Sequence, residues 1–407
     1  MSVSRPLSGP VHRGPVGTAG GYVISRTVGV SLVGRLPWDK IGIVVTVGEV
    51  ALALVCLASD SKKHGCIRGC APGRLAKTSG VPETALAGEP PLPGRWHDSV
   101  RAPATDDVEI LVTQTQVPPV LVTGATGRVG RVVVDLLIDE GVPVRALTHR
   151  SEAAATLPAN VEVVTGDLTV PESLDEGLRG VGAVLLVWTV PPATAPAVVE
   201  RLAAYARRVV FLSAPHQTPH PFFQQPNPMA VLYAEIERLI AAAGLESTII
   251  RPGMFASNAL FWWAPAIRAD GVVRWPYGAA ETAPVDDRDV AAVAARTLYQ
   301  EGHAGGDYVL TGPESLSQAE QVSIIGDVLG RRIKFEELSP DEFRSETEGS
   351  WPRPAVDMLL AAWGATMGLP AFVTFTVSDI LGSAPRSFRQ WAADHAAAFM
   401  EGPTPSS

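Results

Sequence analysis

From residue 118 onward, apolar and polar positions alternate between two periods. Val120-Leu121-Val122 is a short apolar run followed by a turn. Val129, Val132, Val133, Leu136 and Leu137 then recur at helical spacing, one apolar stripe over three turns. Gly141 ends that helix, and Val142–Leu147 predicts a second strand. The same alternation continues. Strands are predicted at 161–167, 183–188, 209–213 and 247–251, and helices at 173–178, 194–206 (with Thr194 as N-cap) and 229–243, the last stopped by Gly244. Near-continuous apolar strands separated by helices predict a parallel sheet covered on both faces. This is an α/β, Rossmann-type doubly wound fold with its ligand crevice at the carboxyl ends of the strands.

Beyond residue 252 the pattern changes. Phe261-Trp262-Trp263, Trp275-Pro276-Tyr277 and helices near 317–330, 354–367 and 387–400 predict a smaller, mostly helical substrate or cap region that completes the fold. Core packing is the simpler reading of its aromatics. The expected organisation is an N-terminal extension over 1–117, a dinucleotide-binding domain over 118–252 and the cap over 253–407.

The extension is a different kind of sequence, rich in Gly, Pro, Ser and Arg. It carries 12 basic against 9 acidic residues, whereas the rest carries 21 against 33. Its apolar stretch from Ile41 to Ser59 is close to the shortest membrane span, but Glu49 near its middle opposes that reading. All three cysteines, Cys56, Cys66 and Cys70, lie here. Cys66 and Cys70, with His64 nearby, are too few ligands for a zinc site, so no metal is expected. The functional domain is expected to start near Val112, with the extension outside it. The main part offers no thiol chemistry, which suits a cytoplasmic protein. With a net charge of −9 and no basic stripe, nucleic acid is not an expected partner, and no membrane association is expected.

The candidate chemistry begins at the first turn. Glycines at 124, 127 and 130 between a strand and a helix form a phosphate cradle. Gly124 allows the tight turn, Gly127 lets backbone N–H groups approach a pyrophosphate, and Gly130 lets the helix lie close on the sheet. Thr126, Arg128 and Val129 complete the loop. The second strand ends Thr148-His149-Arg150 with no carboxylate. A carboxylate there would bind ribose hydroxyls and repel a 2′-phosphate, whereas guanidinium groups grip one. Arg150, Arg128 and Thr148 therefore favour NADP(H) over NAD(H). Val187 and Trp188 end the fourth strand, above the cofactor by position.

These segments together resemble the NmrA-like branch of the atypical short-chain dehydrogenases/reductases. The resemblance is carried by Thr123-Gly124-Ala125-Thr126-Gly127-x-x-Gly130, Val144–Thr148, Gly166-Asp167-Leu168, Phe211-Leu212-Ser213 and Glu237–Ile240 with Gly244-Leu245. It continues through Arg251-Pro252-Gly253-Met254-Phe255-Ala256-Ser257-Asn258, Asp289-Val290-Ala291 and Tyr308–Glu314. It spans roughly 118 to 400. It implies an NAD(P)H-binding protein with Asp167 and Leu168 beside the adenine, Ser213 near the nicotinamide, and Phe255 and Asn258 at the substrate cleft.

The wider superfamily uses a serine, a tyrosine and a lysine for catalysis. The helix that should carry Tyr-x-x-x-Lys reads Met229–Glu237 and has no lysine. Tyr233 and Ser213 are the remaining catalytic candidates. Without a cation beside it, a tyrosine near its ordinary pKa of ~10 is a poor base. His216 and His220 sit in a proline-rich loop and are expected to be surface residues. Two functions stay open: an NADPH-dependent oxidoreductase of a small quinone, azo or carbonyl compound, or a non-catalytic NAD(P) sensor acting through a protein partner. A homo-oligomer is compatible with either.

Overall fold

The computed structural model describes residues 42–48, 51–57, 117–149 and 151–400. The chain divides into two compact units, Met1–Gln116 and Val117–Ser407. In the first, Gly42–Gly48 (β1) and Ala51–Leu57 (β2) pair antiparallel. The apolar stretch from 41 to 59 thus enters two strands, which suits its run of β-branched residues from 43 to 47. Among the described residues no helix is long and apolar enough to cross a membrane. His64, Cys66, Cys70, the proposed start near Val112, and Arg150 lie outside the described residues.

The second unit begins with Val120–Val122 (β3), Arg128–Asp139 (α1), Val144–Thr148 (β4) and Glu162–Thr165 (β5). Next come Asp175–Leu178 (α2), Ala183–Val187 (β6), Ala195–Tyr205 (α3) and Arg208–Leu212 (β7). Pro228–Ala242 (α4) leads to Glu246–Pro252 (β8). Asn258–Trp262 (α5), Ala264–Ala269 (α6), Val272–Pro276 (β9), Glu281–Thr282 (β10) and Asp287–Tyr299 (α7) follow. Asp307–Leu310 (β11), Leu316–Ser317 (β12), Gln318–Val328 (α8) and Lys334–Leu338 (β13) come next. The described chain closes with Pro340–Glu346 (α9), Arg353–Gly364 (α10), Thr376–Leu381 (α11), Phe388–Asp394 (α12) and Ala396–Met400 (α13).

Seven strands form one parallel sheet in the order β11-β8-β7-β6-β3-β4-β5. The chain leaves β3 toward β4 and β5, then returns to its other side at β6. The strand order therefore reverses at β3/β6, and the glycine turn sits at that reversal. The seventh strand, β11, comes from beyond residue 252 and was not among the predicted strands.

Alternation along each strand sorts side chains to two faces. Val120 and Val122 pack with α1 and α7, among Val129, Val133, Leu137, Val290 and Leu298. Leu121, between them, faces α2 and α3 among Leu178, Val198 and Leu202. The stripe on α1 is wider than predicted. Val134 is fully buried and Val132 and Leu136 only half so, because α7 packs against α1 and covers a second flank. The entrance to α3 also differs from expectation. Pro192–Thr194 forms a 3-10 turn, and Thr194 makes no capping hydrogen bond. Asn227 instead caps α4, its Oδ1 accepting from the Met229 N–H at 2.9 Å.

A third core lies in the C-terminal region, around Trp263, Trp275, Phe343, Trp363 and Trp391. Trp262 meets Trp363 edge-on at 5.7 Å, and Trp275 meets Phe343 edge-on at 4.8 Å. Trp262, Trp263 and Trp275 are packing residues, as the simpler reading expects, whereas Phe261 is exposed and stacks on Trp351 at 5.0 Å.

Candidate cofactor and substrate site

Gly124 has φ +63°, the left-handed region, and the Gly127 N–H donates to its carbonyl at 2.9 Å. A Cβ on Gly130 would lie 2.2 Å from the Gly124 carbonyl oxygen. No rearrangement of a side chain can relieve that clash, so the first turn of α1 is held against the loop only because Gly130 has no side chain. Thr123, buried just before the loop, fastens it to β6. Its hydroxyl donates to the Leu185 carbonyl at 3.0 Å and accepts from the Val187 N–H at 2.7 Å. Val187 then lies under the loop, its Cβ 3.2 Å from where a Gly124 Cβ would stand.

The surface this creates fits a dinucleotide. Gly124, Thr126, Gly127 and Arg128 are exposed, and Val129 is buried beneath them. Helix α1 starts at Gly127 with no side-chain cap and no acidic residue in its first turn. Its first N–H groups and positive dipole end are therefore left to an anion.

Arg128 extends across the rim toward Asp287 at the start of α7, with Nε and Oδ1 3.8 Å apart. Asp287 also accepts from the Ser257 hydroxyl at 3.1 Å. Burial pushes its carboxyl up, against the hydrogen bond from Ser257 and the field of Arg128. Asp286 caps α7, accepting from the Arg288 N–H at 2.9 Å. An acidic helix start thus faces the basic residue of the glycine loop. The Asp286-Asp287 pair carried no functional signal in the sequence; only the packing of α7 on α1 brings it to the rim.

On the far side of the loop, Thr148 is buried at the end of β4. Arg145 is committed to structure. Its Nη1 donates to the carbonyls of Gly177 at 2.7 Å and Arg179 at 2.9 Å. Asp167 follows β5, and its Oδ1 accepts from the Thr169 N–H at 2.8 Å. That backbone bond, helped by nearby His149, holds its carboxyl below the usual range. Its side chain thus caps the turn after β5, and Leu168 beside it is buried. Trp188 is buried too, and its indole N–H donates to the Val190 carbonyl at 2.6 Å. Only its backbone stands at the strand end.

Ser213, immediately after β7, is buried and its hydroxyl donates to Glu237 on α4. Glu237 is the centre of a network the sequence showed only as a motif. It accepts from Arg251 Nη1 at 2.7 Å and Nη2 at 2.9 Å. Arg251 also donates to Asp307 Oδ1 at 2.6 Å and to the Ala214 carbonyl at 2.9 Å. These bonds hold the ends of β7, β8 and α4 and the start of β11 in one arrangement, with the Arg251 side chain only 3% exposed. His216 Nδ1 donates to the Ala214 carbonyl at 3.0 Å, and its Nε2 lies 3.8 Å from Glu237.

Tyr233 lies one turn before Glu237, edge-on to Phe211 at 5.8 Å. Burial raises its pKa above the ordinary phenol value. No protein group hydrogen-bonds its hydroxyl among the described residues. It is therefore a neutral O–H at physiological pH, and burial makes it a weaker acid than a free phenol.

Beyond β8, Phe255 packs half-buried against the α1/α7 core, and its backbone bridges to Val285. Asn258 begins α5 and its amide donates to Met254 Sδ at 2.9 Å. Met254 in turn lines a pocket with His220, Phe222, Phe223, Gly253 and Phe372, among others. Sequence reasoning missed this pocket, since its walls come from segments as far apart as 220 and 372. His220 is not a free surface histidine. Its Nε2 donates to the Pro370 carbonyl at 3.1 Å, pinning the loop after β7 to the C-terminal segment. Among the described residues no cluster of three or more His, Cys, Asp or Glu could hold a metal ion.

The family described as NAD(P)H-binding matches residues 124–301. A (4-alkanoyl-5-oxo-2,5-dihydrofuran-3-yl)methyl phosphate reductase of Streptomyces griseus is 40% identical over 286 residues, covering 69% of this chain and 99% of that protein. An NAD(P)H azoreductase of Xenophilus azovorans is 30% identical over 287 residues, with coverage of 69% and 99%. The chain belongs to the NmrA-like, NAD(P)H-binding branch of the short-chain dehydrogenases/reductases. Among solved structures it shares its fold with a triphenylmethane reductase of Citrobacter sp. complexed with NADP(H). There the TM-score is 0.60 at 21% identity, covering 68% of this chain and 99% of that one. The NADPH complex of a quinone oxidoreductase from Escherichia coli gives 0.59 at 24% identity, covering 68% and 99%.

Proposed function

We propose that this member of the family is an NADPH-dependent oxidoreductase of small, electron-poor acceptors: quinones, azo compounds or conjugated carbonyl compounds such as butenolides. The observation that carries the reading is the open cradle at Gly124, Thr126, Gly127 and Gly130, with an uncapped helix start above it. The reductase activities of the Streptomyces and Xenophilus relatives support the acceptor class. In this reading Thr126, Arg128 and Val129 hold the pyrophosphate with the glycines. Thr148 ends β4 beside the adenosine ribose, and the sequence Thr148-His149-Arg150, with no carboxylate, favours the 2′-phosphate of NADP(H). Asp167 and Leu168 flank the adenine, and Val187 and Trp188 line the floor with their backbone.

The bound cofactor supplies a hydride, and solvent or a protein O–H supplies the proton that completes a two-electron reduction. The protein's part is alignment in a dry cleft. Glu237 fixes the Ser213 hydroxyl at the end of β7. Tyr233, a neutral O–H one turn before Glu237 and edge-on to Phe211, is the candidate proton donor. Phe255 and Asn258 face the acceptor.

The missing lysine on α4 favours a second reading, a non-catalytic NAD(P) sensor acting through a protein partner. A spectrophotometric panel of a benzoquinone, an azo dye, a butenolide and an aldehyde with NADPH separates the two. Turnover of at least one acceptor, with NADPH preferred to NADH, is expected. Tight NADPH binding with no oxidation anywhere in the panel would leave the sensor standing.

A further inference from the structure

At the end of β7 the hydrogen bonds leave one oxygen half used. Glu237 accepts from Arg251 at both carboxylate oxygens, from Nη1 at 2.7 Å and from Nη2 at 2.9 Å. Gln217 Nε2 donates to Oε2 as well, at 3.4 Å. A guanidinium has donors only, so both Glu237 oxygens accept, and the Ser213 hydroxyl is the donor in its bond to Oε1. The serine proton is thereby committed to Glu237. Its oxygen keeps two lone pairs, and among the described residues no N–H or O–H donates to them. The neighbouring polar groups are not open in this way. The Ala214 carbonyl accepts from Arg251 at 2.9 Å and from His216 at 3.0 Å. The Thr123 hydroxyl, at the end of β3, is used by β6 both as donor and as acceptor.

Ser213 also stands on the side of the crevice left to the second half of a dinucleotide. Such a ligand crosses the sheet at the reversal of strand order, here between β3 and β6. With the adenosine half over β4 and β5, the nicotinamide half has β6 and β7. Strand β7 is two strands from β3, about 10 Å at ordinary strand spacing. The two molecules that meet there differ in what they can offer a bare oxygen. Quinone and lactone carbonyls and azo nitrogens are acceptors, and an oxygen whose proton is committed elsewhere repels them. The nicotinamide carboxamide carries an N–H₂ and can donate. Ser213 is 7% exposed, so water competes little for its lone pairs and a donor that reaches them gains accordingly.

We infer that Ser213 binds the nicotinamide carboxamide, its oxygen accepting the amide N–H, and that it is not the donor that polarises the acceptor. The inference rests on the cofactor part of the proposed function and not on turnover. It goes beyond that reading by fixing the direction of the hydrogen bond. The proton that completes the reduction then comes from a group other than Ser213, whose own proton stays on the Glu237 side.

The test compares NADP⁺ with its 3-acetylpyridine analogue, in which a methyl ketone replaces the carboxamide and the ribose is unchanged. Titration calorimetry on the full-length protein gives both dissociation constants with no acceptor present. NADP⁺ is expected to bind about three- to tenfold tighter than the analogue, the scale of one hydrogen bond. Ser213→Ala, which leaves Glu237 held by Arg251, is expected to bring that ratio down toward one. If the ratio falls in Ser213→Ala but no acceptor is reduced by NADPH, the assignment stands and the oxidoreductase reading fails. A wild-type ratio near one, or binding of neither dinucleotide, would overturn the assignment. So would a ratio unmoved in Ser213→Ala. If kcat dropped in that variant while the ratio held, the serine would be the donor to the acceptor instead.

Discussion

At the glycine loop, three residues without side chains decide the structure. At the tryptophan cluster below the C-terminal helices, bulk decides it. Gly130 is needed because a single added carbon would collide with backbone at 2.2 Å. Trp263 and Trp363 are needed because they fill space no smaller residue fills, both essentially without exposure. The loop keeps its surface open and its first helical N–H groups uncapped. The cluster turns everything inward. One region is shaped to receive a charged ligand and gains little by itself. The other stabilises the C-terminal region from within.

Substitutions break the comparison if it is wrong. The largest stability effect is expected from Trp363→Ala, about 3–5 kcal/mol for emptying a buried tryptophan site. Urea unfolding measures it, and the NADPH dissociation constant of the folded fraction should barely move. Gly130→Ala is expected to cost less stability, about 1–3 kcal/mol of overpacking. It should weaken NADPH more than tenfold, because the loop must shift away from the helix. If Trp363→Ala weakened the cofactor as much as Gly130→Ala, the two regions would not be separate devices.

The smallest effect is electrostatic. Asp287 stands by Arg128 at the loop's rim, and burial raises its pKa. The folded protein therefore keeps that proton over a range in which the unfolded chain has lost it. Asp287 thus favours folding below the ordinary carboxyl pKa, and that contribution is lost as pH rises through the raised one. Asp287→Asn is expected to flatten this part of the stability profile. It should also tighten NADPH by about two- to fivefold, the scale of one partly exposed charge pair. Looser binding in that variant would mean that Asp287 positions Arg128 and does not oppose the phosphates.

The first region was legible because its rules are local. Glycine spacing, strand alternation and one helical stripe all lie within about 30 residues, and they imply the turn, the sheet and the helix start. The second region was legible only as an aromatic-rich, helical segment. Trp275 meets Phe343 and Trp363 through chain reversals that no periodicity encodes. The same reason hid the pocket at Gly253 and the acidic partner of Arg128. Side-chain roles fared between these. The commitment of Arg145 to the Gly177 and Arg179 carbonyls depends on the turn after α2, 32 residues away in the chain. The engagement of Ser213 by Glu237, and the burial of Trp188, depend on how α4 and α3 settle on the sheet.

The most direct test follows the hydride itself. Protein loaded with NADPH deuterated at the transferring position of nicotinamide C4 is mixed with a conjugated butenolide in a single turnover. The account expects one NADPH consumed per lactone reduced and deuterium fixed on carbon in the product. The same loading, weakened in Gly130→Ala, would tie that hydride to the loop. NADPH bound at the loop yet left unoxidised with this and every other acceptor of the panel would contradict it.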